Sequence, residues 1–119
     1  MKFKNKQHRN FFVQHCTDHL DSERKAAFYV IGLSHHLMEH FGEIYNERGI
    51  FSTEISWPWL TGSDQKIYLF ALNLYNGYVS DYPNQSTPKY LFTNFDDEML
   101  DYFFYAMKIL ESKTHQPSF

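Results

Sequence analysis

Between residues 26 and 44 the apolar side chains Ala26, Val30, Leu33, Leu37, Phe41 and Ile44 fall at intervals of four, three, four, four and three. That spacing lines one face of an α-helix and excludes the two-residue alternation of a half-buried strand. The same period returns elsewhere. Phe12, Cys16 and Leu20, with Phe11 beside them, mark a helix over residues 5–20 capped by Asn5. Ile67, Phe70, Ala71 and Leu74 mark another over residues 64–75, capped by Ser63 and stopped by the left-handed turn that Asn76-Gly77 supplies. Met99, Phe103, Ala106 and Leu110 mark a last helix ending near Glu111, with Asn94 or Asp96 as its cap and acids in its first turn.

The long stripe itself begins after a turn at Leu20-Asp21-Ser22, capped by Asp21 or Ser22, and extends to about residue 46. Gly32 and Gly42 each cost a helix about 1 kcal/mol relative to alanine, which predicts a bend or a close helix contact there. Residues 49–60 are different. Ile50, Phe51, Ile55, Trp57, Trp59 and Leu60 are apolar, yet Pro58 bars a helix interior. This stretch reads as a loop with a short helical turn, pinned by large aromatics. Residues 80–89, with Pro83 and Pro88, read as a second loop. The expected fold is all-α: a compact bundle of about four helices with one aromatic-rich irregular segment, and no β-sheet of three or more strands.

A chain of 119 residues that is 43% hydrophobic fits one domain, residues 1–119, with a core of its own. The single cysteine, Cys16, excludes an internal disulfide and favours a reducing compartment. Apolar runs such as 26–31 are far shorter than the ~20 residues of a membrane span. Positive charge at the start is followed by no apolar stretch, unlike a secretory signal. The expected setting is the cytoplasm of a bacterial cell, with no membrane partner. Residues with AT-rich codons far outnumber those with GC-rich codons, which points to an AT-rich genome.

Net charge is −3, but Lys2, Lys4, Lys6 and Arg9 gather in a basic arm over residues 1–9, free to be flexible, on an acidic body. Such an arm could touch phosphate or protein. Without a pattern of interleaved stacking aromatics it is a weak nucleic-acid footprint, so direct nucleic-acid binding is the minor reading.

The sharpest chemical pattern is His36-Leu37-Met38-Glu39-His40, the H-x-x-E-H arrangement in which two histidines of one helix face ligate zinc beside a glutamate base. A metal-dependent hydrolase using His36, Glu39 and His40 is therefore an alternative. The chain is small for such an enzyme, shows no third ligand in the pattern, and has seven histidines to produce the match by chance. His15 and His19 form a second pair beside Cys16, but in a helical hairpin His36 lies about 22 Å further along, and only His8 comes level with it. Solvated surface histidines are the simpler reading, with no metal and no cofactor. Ser63-Asp64-Gln65-Lys66 matches S-x-x-K, but S-D-N and K-T-G do not occur. Cys16, on its own apolar stripe, is a small buried hydrophobe before it is a nucleophile. No catalytic set stands out.

Nine tyrosines remain to be explained. The plain reading sets them at the core margin with wet hydroxyls; the functional one uses some of them as interface anchors. Tyr75, Tyr78, Tyr82 and Tyr90, together with Asp96, Asp97, Glu98 and Asp101, make the candidate partner-binding surface: aromatic anchors with an acidic rim.

In order along the chain stand Met1-Lys2-Phe3-Lys4-Asn5 with His8, His40-Phe41 with Glu43, Thr61-Gly62-Ser63, Leu74-Tyr75-Asn76-Gly77, Tyr102-Phe103 and Lys108-Ile109. In these the chain resembles an uncharacterised family of small proteins from low-GC Gram-positive bacteria, their phages and conjugative elements. The loop between Gly77 and Phe92 departs from the family pattern, and His36 is no part of it. The resemblance implies no known activity and no catalytic residue, but it implies a mobile-element setting. The expected function is thus a non-enzymatic protein-binding module. It would inhibit or modulate host machinery, as anti-CRISPR and other anti-defence proteins do. Its partner would be a host or defence-system protein of basic, nucleic-acid-handling character, and a homodimer is compatible with the pattern.

Overall fold

Ten consecutive residues, 25–34, are buried, so the segment they form is enclosed on every side. The computed structural model describes residues 1–78 and 83–112 of the chain. Its helices are α1 (Lys6–His15), α2 (Ser22–Ile31), α3 (His35–Glu39), α4 (Phe41–Ile44), α5 (Gly62–Asn76), α6 (Pro88–Phe92) and α7 (Asp97–Glu111), with a 3-10 turn at Pro83–Ser86. Among the described residues the extended pairing is a single bridge between Tyr45 and Phe51. The fold is all-α, as the periodicity predicts.

α2 is the axis. α1, α5 and α7 all run antiparallel to it. His8 and His15 face Tyr29 and Phe28, Asp64 and Tyr75 face Ser34 and Arg24, and along α7 Met99 borders one cleft with Leu33 and Ser34 while Tyr105 faces Tyr29. The stripe of residues 26–44 is thus core, with Phe41 half-buried, but it is not one helix. The chain leaves α2 at Gly32 through two short-range turns, and Ser34 restarts it by accepting from Leu37 N–H at 3.1 Å. Gly32 is needed for close approach: a Cβ there would lie 2.7 Å from His8 Cδ2. His40 makes a second break before α4.

Other boundaries also differ from the sequence reading. α1 ends at His15 because Cys16 is extended. Thr61, not Ser63, holds the N-cap position of α5, while Gly77 closes that helix at φ 71° as expected. The loop read over residues 80–89 ends early, because residues 88–92 form α6: Pro88 takes the first helical turn, where its missing N–H costs nothing, and Thr87 caps Tyr90 N–H. Asp96 caps α7 through Met99 N–H at 2.8 Å. The buried residues of α7 are Tyr102, Phe103, Ala106 and Ile109, so its inner face is turned slightly from the predicted stripe, leaving Met99 and Leu110 half-buried.

The largest correction concerns His8, expected on the surface and here fully buried. Its Nδ1 accepts from Lys4 N–H at 3.0 Å, so the ring proton sits on Nε2, which donates to the Tyr29 carbonyl at 2.8 Å. His15 is half-buried among Phe11, Phe28 and Phe41. The residues of the basic arm are also held. Arg9 lies within α1, Tyr29 Oη donates to the Lys2 carbonyl at 2.6 Å, and Lys4 Nζ reaches the Leu33 carbonyl at 3.4 Å.

Burial lowers the His8 pKa from 6.5 to about 4. Between those values the unfolded chain binds the extra proton, so the stability from neutral His8 is complete above 6.5 and is lost as pH falls toward 4. The full loss is about 3 kcal/mol. Urea titrations across this window measure it, and His8→Gln, which cannot titrate, flattens that part of the profile.

Candidate functional site

The loop that leaves α2 and the first turn of α5 bring three polar side chains together. Asp64, on the first turn of α5, accepts from Ser34 Oγ on one oxygen and pairs with His36 Nδ1 on the other, both at 2.7 Å. Ser34 is buried because it also caps α3, whereas the His36 ring is exposed. A cleft of about 440 Å³ opens beside them, lined also by Lys4, His35, Asn94 and Asp96. Serine and histidine here share a carboxylate without touching each other, so no base is aimed at the hydroxyl. The arrangement ties α3 to α5 by charge and hydrogen bonding. The bond to Asp64, and then that carboxylate's charge, hold the His36 pKa above its usual value.

The H-x-x-E-H residues do not converge. α3 ends at Glu39, which pairs with His35 at 2.7 Å. His36 is turned to Asp64, and His40, beyond the helix, bonds Glu43. Among the described residues no group of three His, Cys, Asp or Glu side chains is disposed to hold a metal ion. Burial pushes the Cys16 thiol up to about 12, which keeps it protonated.

Sequence reasoning treated Trp57 and Trp59 as pins of a loop, and the structure gives them a further character. His40 stacks on Trp59 at 3.9 Å and 5°, and Trp59 on Trp57 at 5.4 Å and 15°. All three rings are half-buried. The indole Nε1–H of Trp59 is enclosed without an acceptor among the described residues. The local signal was the Trp-Pro-Trp run itself, since Pro58 keeps both indoles off a helix; the contribution of His40 comes only with the fold.

The predicted partner-binding residues are divided. Tyr75 lies at the far end of α5, about 16 Å along the helix from Asp64. Its hydroxyl accepts from Arg24 Nη2 at 2.9 Å and its ring packs on Phe51 at 4.9 Å. Arg24 also bonds Asp21, Tyr45 and the Gly49 carbonyl, so Tyr75 belongs to a structural knot. Tyr78 is half-buried just past that helix, its backbone carbonyl facing Asn73 Nδ2 at 3.4 Å. Tyr82 lies outside the described residues. Tyr90, half-buried on α6, carries Lys66 Nζ over its ring at 4.9 Å. Asp96 is spent on its cap, while Asp97, Glu98 and Asp101 are exposed at the start of α7. Glu98 accepts from Tyr102 Oη at 3.3 Å, and Asp101 stands 3.9 Å from Lys2 Nζ. Phe104, which the reading passed over, is 57% exposed on α7.

Asp64→Asn is expected to remove the upward shift of His36 and return its titration to the ordinary imidazole range. NMR of the His36 ring protons against pH measures this, and an unchanged midpoint refutes the assigned pairing.

Comparison of the chain with curated proteins and with solved structures gives no significant match. A family model does match, over residues 1–116, and the chain belongs to that Family of unknown function (DUF6075).

Proposed function

We propose that this protein is a non-enzymatic protein-binding module of a phage or mobile element, acting in the cytoplasm of a low-GC Gram-positive host. It inhibits or modulates host machinery as an anti-defence protein, anti-CRISPR activity being one form. The observation that carries the binding reading is the half-buried stack of Trp57, Trp59 and His40. Tryptophan is the residue most enriched at binding hot spots, and a ring already fixed by stacking loses little freedom on docking. Tyr78 and Tyr90, with Tyr82 between them in sequence, serve as secondary contacts.

The mobile-element setting rests on the codon skew and the family resemblance, an argument from context. The net charge of −3 favours a basic partner, such as a nucleic-acid-handling protein of the host. Direct nucleic-acid binding loses support because Lys2 and Lys4 are engaged with Tyr102 and the Leu33 carbonyl.

Capture from host lysate on the immobilised protein, followed by mass spectrometry, identifies the partner. Trp57→Ala is expected to weaken that complex about 30-fold, the loss of one hot spot, with the helical circular dichroism unchanged. A folded variant that binds as before removes the stack from the interface.

A further inference from the structure

The outer side of α7 has an arrangement that the core does not require. At 3.6 residues per turn, Asp97, Asp101, Phe104, Lys108 and Glu111 fall within about 80° of arc, diametrically opposite Ala106. Ala106 is wholly buried, whereas Phe104 is 57% and Met107, at the edge of the face, 36% exposed. A phenylalanine more than half exposed and turned away from the core leaves most of its apolar area in water. Lys108 Nζ lies over its ring at 5.2 Å, one turn further along the helix.

We propose that this face is a self-association surface, on which a second copy of the chain docks antiparallel across a twofold axis. The charges carry the argument. Asp101 stands three residues before Phe104 and Lys108 four after it, so an axis crossing between residues 104 and 105 sets Asp101 of each copy opposite Lys108 of the other. The two Phe104 rings then meet at the centre, between two equivalent ion pairs. Such self-complementarity is what an isologous interface demands. Asp101 pairs with Lys2 Nζ at 3.9 Å, a long ion pair between exposed side chains that costs little to exchange for Lys108 of a second copy. Lys108 lies over Phe104 on the same face, within reach of a partner helix. Asp97 and Glu111 of opposite copies approach at the wet rim, where like charges weaken the pairing. One helix face on each copy covers less than the ~1,600 Å² of a standard interface, so the dimer is weak and its population follows concentration.

Sedimentation equilibrium of the full chain over a concentration series tests this, with circular dichroism to establish that each variant is folded. The wild type is expected to show a reversible monomer–dimer equilibrium. Phe104→Ala should raise its dissociation constant about 30-fold. Asp101→Lys and Lys108→Asp should each weaken the dimer by setting like charges opposite, and the double reversal should restore it. The charge variants alter only exposed side chains and decide the question even if Phe104→Ala loses helix. A wild type that stays monomeric to ~1 mM, weaker than ordinary specific association, overturns the proposal. So does a dimer whose single charge variants bind normally, or one that the double reversal fails to recover.

Discussion

The enclosure of α2 is the constraint on which the other elements depend. A helix exposed on one side needs apolar residues on about half its circumference, but here residues 25–34 are all buried. A ten-residue helix offers too little area to hold itself, so it must be covered by the chain before it and the chain after it. α1, α5 and α7 do so from three directions. Gly32 lets α1 approach closely, and Phe28 meets Phe11, Phe41, Tyr45 and Phe51 at centroid distances of 5.1 to 6.5 Å, edge-on or tilted, as ring quadrupoles prefer.

The tyrosines serve this enclosure more than the margin reading allows. Tyr29, Tyr68 and Tyr102 are buried, and their hydroxyls are not left to water. Tyr29 donates to the Lys2 carbonyl and Tyr68 to that of Ser52, while Tyr102 shares its one proton between the Phe3 carbonyl at 3.4 Å and Glu98 at 3.3 Å. Each of these carbonyls belongs to an irregular segment with no ladder of its own. A phenol carries apolar bulk into the core and returns one donor to the backbone that must cover it. The aromatic wealth of the chain thus answers a structural need: irregular coverage of a central helix.

Helical period, the Gly77 stop and the Asp96 cap were all legible in the sequence, because each is local. The interruption of the long stripe was half legible. Gly32 and Gly42 marked weak points, but the strength of Ser34 as a new cap, anchored to Asp64, is a tertiary matter. His8 carried a readable sign that its polarity obscured: it stands one turn before Phe12 on the same apolar stripe. The candidate site was less legible. Spacing grouped Tyr75 with the acids of α7, yet folding sends Tyr75 to Arg24 and leaves the acids at the other end of the molecule. The pairing of His40 with Trp59 joins residues whose relation no helical or strand period encodes.

The hydroxyl of Tyr102 reaches the carbonyl of Phe3 across 99 residues of sequence. During synthesis α1 leaves the ribosome before α7, so the segment around Phe3 precedes the surface that receives it. α1 can become helical early, but Phe3 and the His8 ring find their full surroundings only once α7 has emerged. Until then the side of α1 that carries His8 lacks its α7 neighbour, while Phe11, Phe12 and His15 already have Phe28, Tyr29 and Phe41 to pack on. α1 and α7 meet through these contacts as the two parts of a clasp do.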